Sequence, residues 1–262
     1  MLRKQVIEVC EEPVFVIGSP RSGTSVLAWS LAQHPDFWTS PETDFLYWLF
    51  GRGRLTEAIG RSVDRADGGW LQRLGLARGD LVAALGLGVN GLISSKSGGR
   101  RWVDQSPTYT LIAPELAELF PDARFLHILR DGRGVVHSMV NSGFDVGWAS
   151  DFALACRTWA DFATIAARFQ REHPERCLTV HYGDLVADPT GVFAEVLEFV
   201  HAPLHAGPAA FFASNRINSS FQADGPPAAD QPDPWESWSD AERSTFRREA
   251  GETMDALGLQ RV

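Results

Sequence analysis

The chain has 262 residues, 44% of them hydrophobic and 22% charged, which is the composition of a globular protein long enough to bury a sizeable core. Acidic residues outnumber basic ones 33 to 24, and the net charge of −9 argues against a duplex-coating nucleic-acid binder or a polybasic membrane-surface protein while leaving room for a local basic pocket. The cysteines, Cys10, Cys156 and Cys177, have neither the number nor the spacing of a disulfide framework or a zinc site, so a reducing compartment and no metal are expected.

The opening MLRKQVIEVCEEP lacks the apolar stretch of a signal peptide, and no run reaches the ~18 apolar residues of a membrane span, so the expected location is cytoplasmic, with no membrane partner. Val14–Gly18 (VFVIG) is a short continuous apolar run and predicts a buried parallel strand. A helix follows, with Val26, Leu27 and Leu31 inward and Pro35 marking its stop. Gly51–Arg101 is rich in glycine and arginine, has weak periodicity and reads as a surface insertion. Ile112, Leu116, Leu119 and Phe120 form a helical stripe with Pro114 in the first turn. Arg124–Leu129 (RFLHIL) then repeats the strand signal, and Gly134–Val140 the helix signal, with Val135, Val136, Met139 and Val140 on one face.

Ala155, Trp159, Phe162, Ala166 and Phe169 keep helical spacing, Leu178–Tyr182 (LTVHY) reads as another buried strand, and Val192, Phe193, Val196, Leu197 and Val200 as another helix. Ser219–Trp238, with Pro226, Pro227, Pro232 and Pro234, is a second insertion. The expected fold is α/β: one domain over residues 1–262, with a P-loop-type central parallel sheet flanked by helices. Residues 51–101 and 219–238 are expected to be lid-like or acceptor-binding insertions.

Gly18-Ser-Pro-Arg-Ser-Gly-Thr-Ser25 runs from a strand end into a helix, where backbone N–H groups and the helix dipole favour an anion. Its glycines have the spacing of a nucleotide-triphosphate loop, but Thr24 stands where the phosphate lysine would be, and Arg21 is the loop's cation. The second unit places Arg130 at a strand end and Ser138 eight residues later on the next helix, a guanidinium and a hydroxyl able to converge on a second phosphate. Two anion sites at the ends of two parallel strands imply a ligand with phosphates at both ends.

These motifs resemble those of the sulfotransferases that use 3′-phosphoadenosine 5′-phosphosulfate (PAPS). Pro20-Arg-Ser-Gly-Thr-Ser25 is similar to that family's 5′-phosphosulfate loop and LRDGRGVVHS (Leu129–Ser138) to its 3′-phosphate motif; WVDQSP, FPDARFLHILRD, HYGDLVADP and, more weakly, INSS extend the likeness. The resemblance implies PAPS as donor, 3′,5′-ADP (PAP) as co-product and no metal. It assigns Arg21, Ser22, Gly23, Thr24, Ser25, Arg130 and Ser138 to the cofactor, Tyr182 to the adenine, and Asn218 and Ser220 to a closing loop.

The register through Ser40-Pro-Glu-Thr-Asp-Phe45 is close to that of tyrosylprotein sulfotransferases and of bacterial relatives acting on small molecules, and Glu42 falls where they carry a catalytic glutamate. Sulfuryl transfer to an alcohol needs a base for the hydroxyl proton and positive charge near the departing phosphate, roles for Glu42 and Arg21. Asp44 is the rival base, and His127, inside an apolar strand, reads as a core residue. Gln105 stands where many members have a lysine reaching the sulfuryl group, so either Arg21 does both jobs or Lys96 or Arg100 substitutes.

Phe45, Trp48, Gln105 and Trp148 are assigned to the acceptor, with Tyr47, Phe144, Trp235 and Trp238 as further aromatics near the motifs. The expected reaction is transfer from PAPS to a hydroxyl of a small natural product, lipid or sugar in bacterial secondary metabolism, with no nucleic-acid partner and a homodimer left open. The alternatives are a non-catalytic PAP-binding protein on a degenerate transferase fold and, further off, a P-loop kinase.

Overall fold

The computed structural model describes residues 8–63, 69–215, 217–219, 222–223 and 234–259. Strand β1 (Val14–Ile17) leads into α1 (Thr24–Leu31), then come β2 (Phe37–Thr39), α2 (Phe45–Phe50), α3 (Arg54–Val63), α4 (Trp70–Arg73) and α5 (Arg78–Ser97). Next are β3 (Arg101–Gln105), a 3-10 helix (Pro107–Ile112), α6 (Ala113–Leu119), β4 (Arg124–Leu129), α7 (Gly132–Val140), α8 (Gly147–Ser150) and α9 (Phe152–Glu172). Finally there are β5 (Cys177–His181), α10 (Tyr182–Ala187), α11 (Pro189–Phe199), α12 (Gly207–Ser214), a short hairpin of β6 (Ile217–Ser219) and β7 (Gln222–Ala223), α13 (Pro234–Ser237) and α14 (Asp240–Ala256).

The main sheet has five strands in the order β2-β3-β1-β4-β5, and every pairing in it is parallel. Because successive strand side chains alternate faces, the VFVI run supplies both layers. Phe15 and Ile17 join Trp102, Tyr109, Phe120, Phe125 and Phe169 on one face. Val14 and Val16 join Leu27, Leu31, Val103, Leu126, Val180 and Phe193 on the other. Central position explains why β1 shows no polar alternation. By contrast, β5 is an edge strand: its Cys177 and Val180 are buried while His181 is exposed, and Tyr182 begins α10 instead of ending the strand.

The segment 51–101 is mostly helical, and part of it is core. Leu55, Ile59, Leu71 and Val82 are buried, the first two and the last in the Phe15 layer. Asn90, in the middle of α5, accepts from the Cys10 N–H at 2.9 Å and the Trp102 Nε1–H at 3.1 Å and donates to the Cys10 carbonyl at 2.8 Å. Gly86 lies against α6: a Cβ there would fall 1.9 Å from the Leu119 carbonyl oxygen. A glycine demanded by close packing at position 86, with a buried Asn90, therefore weakens the apolar periodicity of α5. In the second expected insertion, residues 220–221 and 224–233 lie outside the described set, while Trp238 is buried against Phe152 and Phe246. Among the described residues no helix is long and apolar enough to cross a membrane.

Candidate active site

The carboxyl end of β1 lies where the chain switches from β3 on one side to β4 on the other, which is where open parallel sheets hold ligands. The loop leaving β1 is braced from within and from below. Both the N–H and the Oγ of Ser22 bond to the Ser19 carbonyl, at 3.2 and 2.7 Å, so the Ser22 hydroxyl closes the loop. Thr110 accepts from the Gly18 N–H at 2.8 Å and donates to the Gly18 carbonyl at 2.9 Å. Arg21 has φ 67°, a left-handed backbone that costs a non-glycine residue roughly 1 kcal/mol or more and is a form of strain met at binding sites.

Gly23 caps α1 at φ 110°, and a Cβ there would meet Ile128 Cδ1 and Tyr182 Cδ2, each at 3.1 Å. The first bond of the α1 ladder runs from the Leu27 N–H to the Gly23 carbonyl at 3.1 Å. Amides ahead of it, at buried Thr24 and half-buried Ser25, form the positive helix end that receives anions.

The two predicted motifs meet. Arg21 Nε donates to Ser138 Oγ at 3.2 Å across a sequence separation of 117 residues, and Arg130 Nη1 donates to the Arg21 carbonyl at 3.3 Å. Asp131 caps α7 and pairs with Arg133 at 2.6 Å, so the Arg130 guanidinium is directed elsewhere, 4.5 Å from the Tyr182 ring centroid. The Arg130 carbonyl is fixed by Trp159 Nε1 at 3.2 Å. Arg21 also lies 5.4 Å from the ring of Phe144, which packs edge-on against half-buried Trp148. Two guanidiniums, a hydroxyl and a helix N-terminus brought together at one end of the sheet can bind two phosphate-type groups.

Glu42 is half-buried in the turn between β2 and α2, at the same end of the sheet. Phe45 and Trp48, just beyond it, are largely exposed, with Arg52 5.1 Å above the Trp48 ring. Asp44, the rival carboxylate, is engaged by the scaffold: Thr108 Oγ1 donates to it at 2.5 Å, and its own N–H donates to Ser106 Oγ at 3.2 Å. Gln105 is fully buried, and its Oε1 accepts from Ser25 Oγ at 3.5 Å at the start of α1.

Neither proposed substitute for the missing lysine is near. Arg100 bonds to the Ser97 and Phe37 carbonyls at the amino end of β3, and Lys96 lies beside it in the last turn of α5. The whole length of the strand, at about 3.3 Å per residue, separates that end from Gln105. His127 is the core histidine expected: burial pushes its pKa down to about 4, and Nδ1 lies 3.3 Å from Thr179 Oγ1. Asn218 falls in β6 and Ser220 lies outside the described residues.

Sequence reading missed Thr110, Tyr109 and Asp104. Asp104 is buried at the end of β3, accepting from the Gln105 N–H at 2.9 Å and the Tyr109 hydroxyl at 3.2 Å. Burial, with Asp44 adding repulsion, raises its pKa from the ordinary 3.8 to about 6 against those two hydrogen bonds. Burial beside Asp104 likewise raises the Tyr109 phenol, keeping it protonated. An acid in an otherwise apolar strand was the available signal.

Residues 13–206 match the model of the sulfotransferase family. Protein-tyrosine sulfotransferase 1 of Danio rerio is 28% identical over 196 residues, covering 72% of this chain and 53% of the relative. The nodulation protein NoeE of Sinorhizobium fredii is 30% identical over 131 residues, covering 48% and 30%. The chain thus spans about half or less of the length of these two curated relatives. In fold it is similar to the sulfotransferase domain of the curacin biosynthetic pathway, with TM-score 0.62 and 18% identity over 97% of this chain and 100% of that one. It is also similar to a mouse sulfotransferase complexed with PAP, with TM-score 0.55 and 12% identity over 95% and 85%. A family match covering most of the chain, on a fold shared from end to end, shows that this protein belongs to the sulfotransferase family.

Proposed function

We propose that the protein transfers a sulfuryl group from PAPS to the hydroxyl of a small-molecule acceptor and releases PAP. The observation that carries this reading is the contact between the two anion motifs, Arg21 on Ser138 and Arg130 on the Arg21 backbone, at the switch point of the sheet. Two features support such a ligand: glycine at position 23 keeps the backbone clear beside Ile128 and Tyr182, and Arg21 and Arg130 follow the ends of β1 and β4.

When bound, PAPS supplies the sulfuryl group and a phosphate as leaving group. Thr24 and Ser25 amides with Arg21 would hold that phosphate, and Arg130 with Ser138 would hold the 3′-phosphate. The Glu42 carboxylate would take the proton from the acceptor hydroxyl, with Phe45, Trp48 and Trp148 lining the acceptor side. Gln105 brings no charge, so Arg21 is left to balance the departing negative charge. The buried amide at Gln105 also favours a second reading, a PAP-binding protein without turnover.

The experiment is an acceptor screen with PAPS, read by mass as addition of one sulfuryl group to alcohols, phenols, sugars and tyrosine peptides. Glu42→Gln should lower kcat by about 10²–10⁴ with PAP affinity nearly unchanged. PAP binding without turnover on any acceptor would move the assignment to the second reading.

A further inference from the structure

The described contacts tie the turn that carries Glu42 to the 3-10 helix and the residue before it. Asp44 reaches Thr108 and Ser106. Tyr109, next to Thr108, packs in the same core layer as Leu46 of α2, and its hydroxyl donates to Asp104 at 3.2 Å. Asp104 in turn accepts the N–H of Gln105, whose side chain contacts Ser25 of the phosphate loop. The titratable groups acting on Asp104 are Tyr109 from the 3-10 helix and Asp44 from the turn, and the flanking strand β1 pairs with it at Phe15.

We propose that Asp104 and Tyr109 are positioning residues for the reaction, holding the Glu42 turn in register with the phosphate loop while the Asp104 carboxyl is ionised and releasing it on protonation. An ionised Asp104 can only accept, so the Tyr109 hydroxyl must donate to it, which fixes the phenol against Leu46 and beside Thr108, the residue that holds Asp44. A protonated Asp104 donates its own proton to that phenol oxygen, so the Tyr109 hydroxyl turns away from it and the hold on the 3-10 helix is weakened. This inference rests on Glu42 acting as the base.

Asparagine at position 104 mimics the protonated acid, because its carbonyl must accept the Gln105 N–H and its NH₂ then donates to Tyr109. In Asp104→Asn, kcat at about pH 8 should fall roughly 10- to 100-fold, the cost of a misplaced reacting group, and should lose its fall through about pH 6. PAP affinity should stay within about twofold, since the phosphate contacts are untouched. Tyr109→Phe, which removes the link itself, should give the same kcat loss and the same flat profile.

Deuterium exchange of the peptide covering residues 40–50, corrected for intrinsic exchange, should rise in the wild type on acidification through about pH 6 and stay high in both variants. Wild-type kcat with a retained acid limb in Asp104→Asn, or exchange indifferent to pH and to both substitutions, would overturn the proposal. Full activity of Glu42→Gln with the exchange pattern intact would instead remove Glu42 as base and leave the hold in place.

Discussion

Replacing Asp104 with asparagine should make the protein more stable at neutral pH, the reverse of what removing a buried hydrogen-bonded side chain usually does. Asp104 titrates near 6 in the folded chain against an ordinary 3.8, so the native state binds this proton more tightly than the unfolded chain does. Stability from this group is therefore greatest below about pH 3.8, falls as pH rises between the two values, and levels off above about pH 6. At about 1.4 kcal/mol for each tenfold difference in proton affinity, the ionised carboxylate costs roughly 3 kcal/mol at pH 7 and above.

An amide of the same shape carries no such cost, because it never ionises. Asp104→Asn should thus gain up to about 3 kcal/mol near pH 7.5, or roughly 6–10 °C in Tm, and match the wild type near pH 4. Urea unfolding followed by far-UV circular dichroism at both pH values measures the difference directly. A variant less stable than wild type at pH 7.5, or one whose advantage does not change with pH, would refute the argument. Combined with the expected loss of kcat, the result would be a stabler but slower protein, the trade-off of a site that holds strain for function.

Arg130→Ala should weaken PAP by about 10- to 100-fold, the loss of a charge-assisted phosphate contact, and abolish most of the preference for PAP over ADP in thermal-shift assays; equal shifts for both nucleotides in the wild type would remove the role given to Arg130 and Ser138. Turnover should survive EDTA, because Arg21 and helix amides supply the positive charge; a strict Mg²⁺ requirement would favour kinase chemistry. Gly86→Ala should destabilise by about 1–3 kcal/mol or more, as its methyl would fall 1.9 Å from the Leu119 carbonyl oxygen, and a Tm equal to wild type would refute the packing of α5 on α6.

By itself the sequence determined what is local. The VFVI and RFLHIL runs, the helices after them and the loop from Gly18 to Ser25 are each settled within about twenty residues, by side-chain period, glycine placement and a helix start, and the structure forms them where expected. Because both motifs end on strand–turn–helix units, their arginines were legible as candidate anion ligands even before the strand order was known. Tertiary structure decided everything that joins distant segments. The order β2-β3-β1-β4-β5 puts Arg21 beside Ser138, leaves β5 at the edge and turns Tyr182 under Arg130.

It also placed Lys96 and Arg100 at the wrong end of β3, buried Gln105 beneath Ser25, and drew Asp44, Asp104 and Tyr109 into one cluster. In α5, Gly86 and Asn90 make helical sense only once Leu119, Cys10 and Trp102 are beside them. The physical reason is the same in each case: periodicity reports which face a residue takes, whereas a buried charge, a glycine contact or a long-range hydrogen bond depends on what another element brings to that face.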